Sequence, residues 1–143
     1  MSLLSTSVTS RMLRGVDLLV YGRCIEVEFP EILRNFSRDR FPLSVCMEQV
    51  HMDIVGFKLL SIIRLSGIKG LTILTPDGSP HCIQLHYIGE HIRKIIGEKL
   101  LIRHFVVEKG KVFEIPVKVV RLSRHLSECN VLLSGAGVND ETI

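Results

Sequence analysis

The run Thr75-Pro76-Asp77-Gly78-Ser79-Pro80 is where this chain must change direction. Its two prolines fix φ and withhold N–H donors, and Gly78 accepts backbone conformations that other residues avoid. Asp77 and Ser79 can bond their own backbone. No regular element continues through such a stretch, so it divides the middle of the chain. Before it, Leu71 to Leu74 is a short β-rich run. After it, His81 to Tyr87 reads as the returning strand.

The same punctuation organises the rest. Val16 to Tyr21 is a β-rich run. Arg23 to Phe29 then alternates, with Ile25, Val27 and Phe29 on one side and Cys24, Glu26 and Glu28 on the other, the pattern of a half-buried strand. Pro30 stops it and suits the first position of a short helix whose buried face is Ile32, Leu33 and Phe36. A further strand is expected from Ser44 to Ile54. Phe57 to Ser66 reads as a mostly buried helix with a narrow polar stripe of Lys58, Ser61 and Arg64, capped by Gly67. Ile88, Ile92, Ile95, Ile96 and Leu100 have helical spacing, with Glu90 and Lys94 paired on the outer side. Leu101 to Val107 and Val112 to Leu122 form a hairpin around Lys109-Gly110. On its second strand Phe113, Ile115, Val117 and Val119 share one face, and Pro116 leaves an edge unpaired. These elements do not alternate as regular βαβ units. The expected fold class is α+β: a mostly antiparallel sheet with two or three helices packed on one side, preceded by a mobile N-terminal arm.

A chain of 143 residues with 46% hydrophobic residues and no Trp builds one domain on a core of Leu, Ile and Val. The expected division is an arm over residues 1–15, a domain over 16–126 and a flexible tail over 127–143. The arm has no acids, and Leu3, Leu4, Val8, Met12 and Leu13 have no obvious place in the sheet. Chain ends lack the contacts to offset their entropy, so these residues are expected to mediate self-association into a homo-oligomer. The four cysteines, Cys24, Cys46, Cys82 and Cys129, form no CxxC pair. Reduced thiols in a cytoplasmic or nuclear compartment follow. No apolar run reaches the ~18–20 residues that span a bilayer, which leaves peripheral membrane association open.

Charge is unevenly spread. Nine Lys or Arg lie between Arg93 and His125, namely Arg93, Lys94, Lys99, Arg103, Lys109, Lys111, Lys118, Arg121 and Arg124, against three acids. A basic stretch of this kind favours an anionic partner, either a lipid surface or nucleic acid. The alternative is ordinary exposed charge at a turn and along an edge strand, where Lys commonly blocks aggregation.

Candidate chemistry gathers at His81, Cys82, Gln84, His86, Glu90 and His91. A strand would put Cys82, Gln84 and His86 on one face. Zinc needs three or four converging ligands, and only Cys82 and His86 are placed locally, so no metal is expected. A Cys–His nucleophile lacks anything local to activate the thiol, such as a helix that starts directly after it. There is no phosphate-binding loop, and Gly135-Ala136-Gly137 lies in the tail, outside any strand–helix context. No cofactor, no small-molecule substrate and no enzymatic activity are expected.

The stretch His51 to Leu74 (HMDIVGFKLLSIIRLSGIKGLTIL) and the stretch Leu101 to Ser123 (LIRHFVVEKGKVFEIPVKVVRLS) resemble, in their pattern of elements, the matrix proteins of rhabdoviruses and related negative-strand RNA viruses. The chain lacks the Lys-rich tail and the PPxY and PTAP motifs associated with budding. The resemblance implies a non-enzymatic, self-associating virion protein that lies under an envelope and contacts ribonucleoprotein through its basic face. The alternative reading is a small RNA- or DNA-binding protein that uses the same face. A small enzyme with a Cys/His site is the third.

Overall fold

The computed structural model describes residues 1–136. After a 3₁₀ turn at Arg11–Leu13, eleven elements follow in order. They are β1 (Asp17–Gly22), α1 (Cys24–Glu28), α2 (Pro30–Phe36), β2 (Phe41–Val45), α3 (Met52–Ser66) and β3 (Gly70–Pro76). Then come α4 (Ile83–Ile96), β4 (Leu101–Glu108), β5 (Lys111–Ile115), α5 (Val117–Leu122) and α6 (Leu126–Ala136). The five strands form one sheet in the order β2-β1-β3-β4-β5. The first four are parallel, in register through Leu18↔Phe41, Leu18↔Leu71 and Leu71↔Ile102. Only β5 is antiparallel, with His104 opposite Ile115.

Helices cover both faces. On one, Leu18, Val20, Leu43, Leu71, Ile73 and Ile102 meet Val55, Leu59 and Ile62 of α3 and Leu85, Ile88 and Ile92 of α4. On the other, Leu19, Tyr21, Leu74, Phe105 and Val107 meet Ile25 and the α2 residues Ile32, Leu33 and Phe36. Burial on both sides explains the continuous apolar runs of β1 and β3, which lack polar alternation. The expected sheet, mostly antiparallel with helices on one side, is therefore corrected to a mostly parallel α/β sheet between two helical layers.

Four elements account for the difference. Residues 24–28, read as a strand, are α1; Ile25 is buried but Val27 is 83% exposed, so the apparent alternation does not report a sheet face. Residues 81–87, read as the returning strand, are the entry to α4, so the 75–80 turn leads from a strand into a helix. The strand expected to run to Leu122 stops at Ile115, and Pro116 caps α5. The strand expected from Ser44 to Ile54 ends at Val45 with β2, and Met52 already begins α3. Glu90, expected on the outer side with Lys94, is buried. Three local signals hold. Pro30 opens α2, and Gly67 ends α3 in the left-handed conformation at φ 62°. The β4–β5 hairpin turns at Lys109-Gly110.

The N-terminal segment is not a mobile arm. Leu3 N–H donates to Ser44 O and Ser44 N–H to Met1 O, both at 2.8 Å, so the segment adds a bridge beside β2. Leu3 and Leu13 are fully buried in the chain's own core, with Leu4 and Val8 packed against it. Ser66 Oγ donates to Val8 O at 2.6 Å and ties the segment to α3. Of the five residues assigned to self-association only Met12, 54% exposed, faces outward. The tail expected from residue 127 is helical as far as Ala136, with no residue of α6 buried. The remainder of that tail lies outside the described residues. Among the described residues, no helix is long and apolar enough to cross a membrane.

Candidate functional site

Because β3 and β4 are parallel, the loops that follow them lie at the same end of the sheet. The 75–80 turn leaves β3 there and is fastened to β4 by the Asp77 N–H, which donates to Val107 O at 2.9 Å. β5 then carries the chain back toward the opposite end, and α5 returns along α4, joined to it by a 3.0 Å hydrogen bond between Tyr87 and Ser123. A cavity of about 370 Å³ opens between the turn, α4 and α5. Its walls are largely apolar, from Pro76, Pro80, Ile83, Val106, Ile115 and Val119, and its polar side chains are Thr75, Asp77, Ser79, His86 and Ser123. Among the described residues no Lys or Arg lines it.

Behind the cavity wall runs a buried chain of polar side chains. Thr75 Oγ1 lies 2.8 Å from His86 Nε2, His86 Nδ1 lies 2.8 Å from His104 Nδ1, and His104 Nε2 lies 2.7 Å from Glu90 Oε2. Arg93 Nε donates to both Glu90 oxygens at 3.1 and 3.2 Å, and its terminal nitrogen donates to Ile102 O. Thr75, His86, Glu90 and His104 are all at least 95% buried. Unpaired, each would be costly there; linked, they satisfy one another. Burial, and secondarily the neighbouring His104, pushes the His86 imidazole down to about 3. Burial also lowers His104, against the opposing pull of its bond to Glu90. Both rings are therefore neutral near pH 7.

Local sequence explains how the chain is assembled. His86, Gly89, Glu90 and Arg93 recur at three- and four-residue intervals, which puts them on one face of α4. On β4, Ile102, His104 and Val106 point to the α4 side, with Arg103, Phe105 and Val107 opposite. Gly89 permits the close approach: a Cβ there would lie 2.6 Å from Ile73 Cδ1 and 3.3 Å from His104 Cε1. His104 and Thr75 escaped notice in the sequence. The signal was a histidine within an apolar period-two stripe, which in a folded chain must find partners.

Of the residues singled out earlier, Cys82 and His86 do not converge. Cys82 immediately precedes α4, so the helix start thought to be missing is present, but burial raises the thiol. Cys82 Sγ packs toward Gly22, while His86 turns to His104. Among the described residues no group of His, Cys, Asp and Glu is arranged to hold a metal. The nine basic residues do not form one face. Arg93 serves Glu90. Arg103 pairs in bidentate fashion with Glu114 and covers Phe105. Arg121 approaches Glu90 at 3.9 Å, and Arg124 covers Tyr87. Lys94 and Lys118 stand on different helices. Lys99 precedes β4 and Lys109 follows it, so a strand of eight residues, about 26 Å long, separates them. Lys111 joins Lys109 at the hairpin.

Parallel strands in this order, reversing direction at β1 between β2 and β3, with helices on both faces, define a doubly wound α/β domain. A family model described as a Rossmann-like domain matches residues 10–136, and the chain belongs to that family. No curated protein and no solved structure matches it. The match overturns the resemblance to viral matrix proteins, and with it the virion, membrane-surface and ribonucleoprotein roles drawn from a basic face. The residues do not fit a dinucleotide either. Such cofactors need a glycine-rich first turn that leads into a helix N-terminus. Here the turn offers Gly22 alone, α1 has five residues, and Glu26 stands in its first turn. Gly22 is itself packed: a Cβ would lie 3.2 Å from Pro76 Cδ and 3.3 Å from Cys82 Sγ, so the crevice between β1 and β3 is filled.

Proposed function

We propose that this domain binds a small, largely apolar organic molecule in the cavity between the 75–80 turn, α4 and α5. One observation carries the reading. The cavity is of ligand size, with apolar walls and a few polar groups, of which Thr75 and His86 are held by a buried hydrogen-bonded chain. The lack of Lys and Arg in its lining argues against phosphorylated or polycarboxylate ligands. Binding without chemistry is part of the proposal, since the Thr75 hydroxyl and His86 Nε2 are committed to one another at 2.8 Å. The four cysteines, all unpaired, support a reducing compartment.

The test is a fragment screen by amide and methyl chemical-shift mapping on the full chain. Neutral or cationic apolar fragments should shift Val106, Val119 and Ser123. Val119→Phe, at a position 47% exposed, fills the mouth and should abolish those shifts in a folded protein. Shifts confined to other surfaces, or unaltered by Val119→Phe, would refute the reading.

A further inference from the structure

We infer that the occupant of this cavity is a hydrogen-bond donor, a primary amine in its ammonium form on an apolar body, selected because the polar side chains of the lining are left mostly as acceptors, the Asp77 carboxylate foremost and Thr75 through the direction of the Glu90–His104–His86–Thr75 chain. The inference rests on the cavity reading above and specifies its ligand.

The direction follows from the end of the chain. The Glu90 carboxylate, held by the permanently charged Arg93, can only accept. His104 Nε2 must therefore carry the proton that meets it. In a neutral ring that leaves His104 Nδ1 bare, so His86 Nδ1 carries the proton between the two imidazoles. His86 Nε2 is then bare, and the Thr75 hydroxyl must donate to it. What Thr75 has left are oxygen lone pairs. Connectivity and the neutrality of both buried rings together set the tautomers, without reference to any ligand.

The other polar groups agree. Ser123 Oγ donates its proton to Val120 O at 2.7 Å and accepts the Tyr87 hydroxyl proton at 3.0 Å, which leaves that oxygen one lone pair and no proton for a ligand. Asp77, at the rim, only accepts and is the one charged side chain in the lining among the described residues. Ser79 Oγ accepts from the Cys82 N–H at 3.1 Å and alone retains a free hydroxyl proton. The start of α4 offers little to an anion, because the N–H groups of Cys82, Ile83 and Gln84 donate to Ser79 Oγ, Ser79 O and His81 O. The anionic Asp77, with the remaining lone pairs of Ser123 and Thr75, against a single free hydroxyl donor selects a cationic donor over a carboxylate or a carbonyl compound.

Two measurements test this. Long-range ¹⁵N–¹H spectra of histidine-labelled protein read the tautomers directly. His86 should be protonated at Nδ1 and His104 at Nε2. Shift titrations of the full chain near pH 7.5 then compare cyclohexylmethylamine with cyclohexylmethanol, cyclohexyl methyl ketone and cyclohexanecarboxylate. The amine should bind at least about tenfold more tightly than the carboxylate, and Asp77→Asn, at an exposed turn, should remove most of that margin. Glu90→Gln should reverse the chain: its amide oxygen stays on Arg93, and its NH₂ donates to His104 Nε2. Both tautomers then switch and the Thr75 proton is released into the cavity, so the ketone gains on the amine. A carboxylate or ketone preferred by the unaltered protein, or His86 protonated at Nε2, overturns the inference and leaves the cavity reading standing. If none of the four probes binds in the cavity, the cavity reading falls, and the inference with it. The spectra of the unaltered protein and of Asp77→Asn decide the matter even if Glu90→Gln does not fold.

Discussion

Acidification should unfold this domain by a route that runs through His86. The imidazole is held at about 3 in the folded chain against an ordinary 6.5. A folded-state value below the unfolded one means that the unfolded chain takes up a proton that the native state refuses. Stability from this group is complete above about pH 6.5, falls as pH drops through that value, and keeps falling toward pH 3. Each pH unit inside the window costs about 1.4 kcal/mol, so by pH 5 the loss from His86 alone is about 2 kcal/mol. His104 is lowered in the same direction and adds to it. The groups that face His86 are Thr75 from β3 and His104 from β4, with Glu90 and Arg93 beyond, and none accommodates a proton on both His86 nitrogens except by breaking the chain. Urea unfolding at pH 7, 6 and 5 measures the effect. His86→Gln, which retains a bonding partner for Thr75 but no titration, is the reference. The difference between the two proteins should shrink by about 2 kcal/mol from pH 7 to pH 5. Parallel pH dependences would refute the assignment of a neutral, buried His86.

Two further outcomes follow from packing. Gly89→Ala gains about 1 kcal/mol of helix propensity but drives a methyl to 2.6 Å from Ile73 Cδ1, so a net loss of about 1 kcal/mol is expected. Adding Ile73→Val removes the opposing carbon, and urea denaturation of the double variant should show that the two costs do not add. Leu3→Ala should cost about 2–5 kcal/mol at any protein concentration, because Leu3 is fully buried in its own chain. A loss that disappears on dilution would point instead to a neighbour.

The helix, turn and hairpin signals of α2, α3 and β4–β5 were legible because each rests on local chemistry: Pro30, Gly67 and Lys109-Gly110. The sheet was misread where burial, which is not local, overrides alternation. Val27 obeys the alternation and is exposed. Residues 82, 85, 86, 89 and 92 follow helical spacing, but three of them, Cys82, His86 and Gly89, do not read as core, so the helix was recognised only from Ile88. Parallel pairing brings β1 beside β3 across more than forty intervening residues, and nothing within either strand announces its partner beyond their uninterrupted apolarity. The candidate site was half visible. His86 and Glu90 lay in the cluster that drew attention, while Thr75 and His104 are supplied by β3 and β4 and meet α4 only after the sheet forms. The basic residues misled because charge counted along a sequence says nothing of which end of a strand each residue occupies.

The lone antiparallel strand has a consequence for how such a cavity can change over time. One wall belongs to β3, β4 and α4, which are interlocked with the whole sheet. The other is written in a single contiguous passage from Lys111 to Ser123, attached chiefly through β4 and α4. That passage behaves as a cassette. Exchanging it, or altering its length, would reshape the mouth and specificity of the cavity while the four parallel strands and the histidine chain keep their positions. The fixed wall of the cavity and the replaceable one are thus carried by different lengths of the same chain, with the hairpin tip as the seam between them.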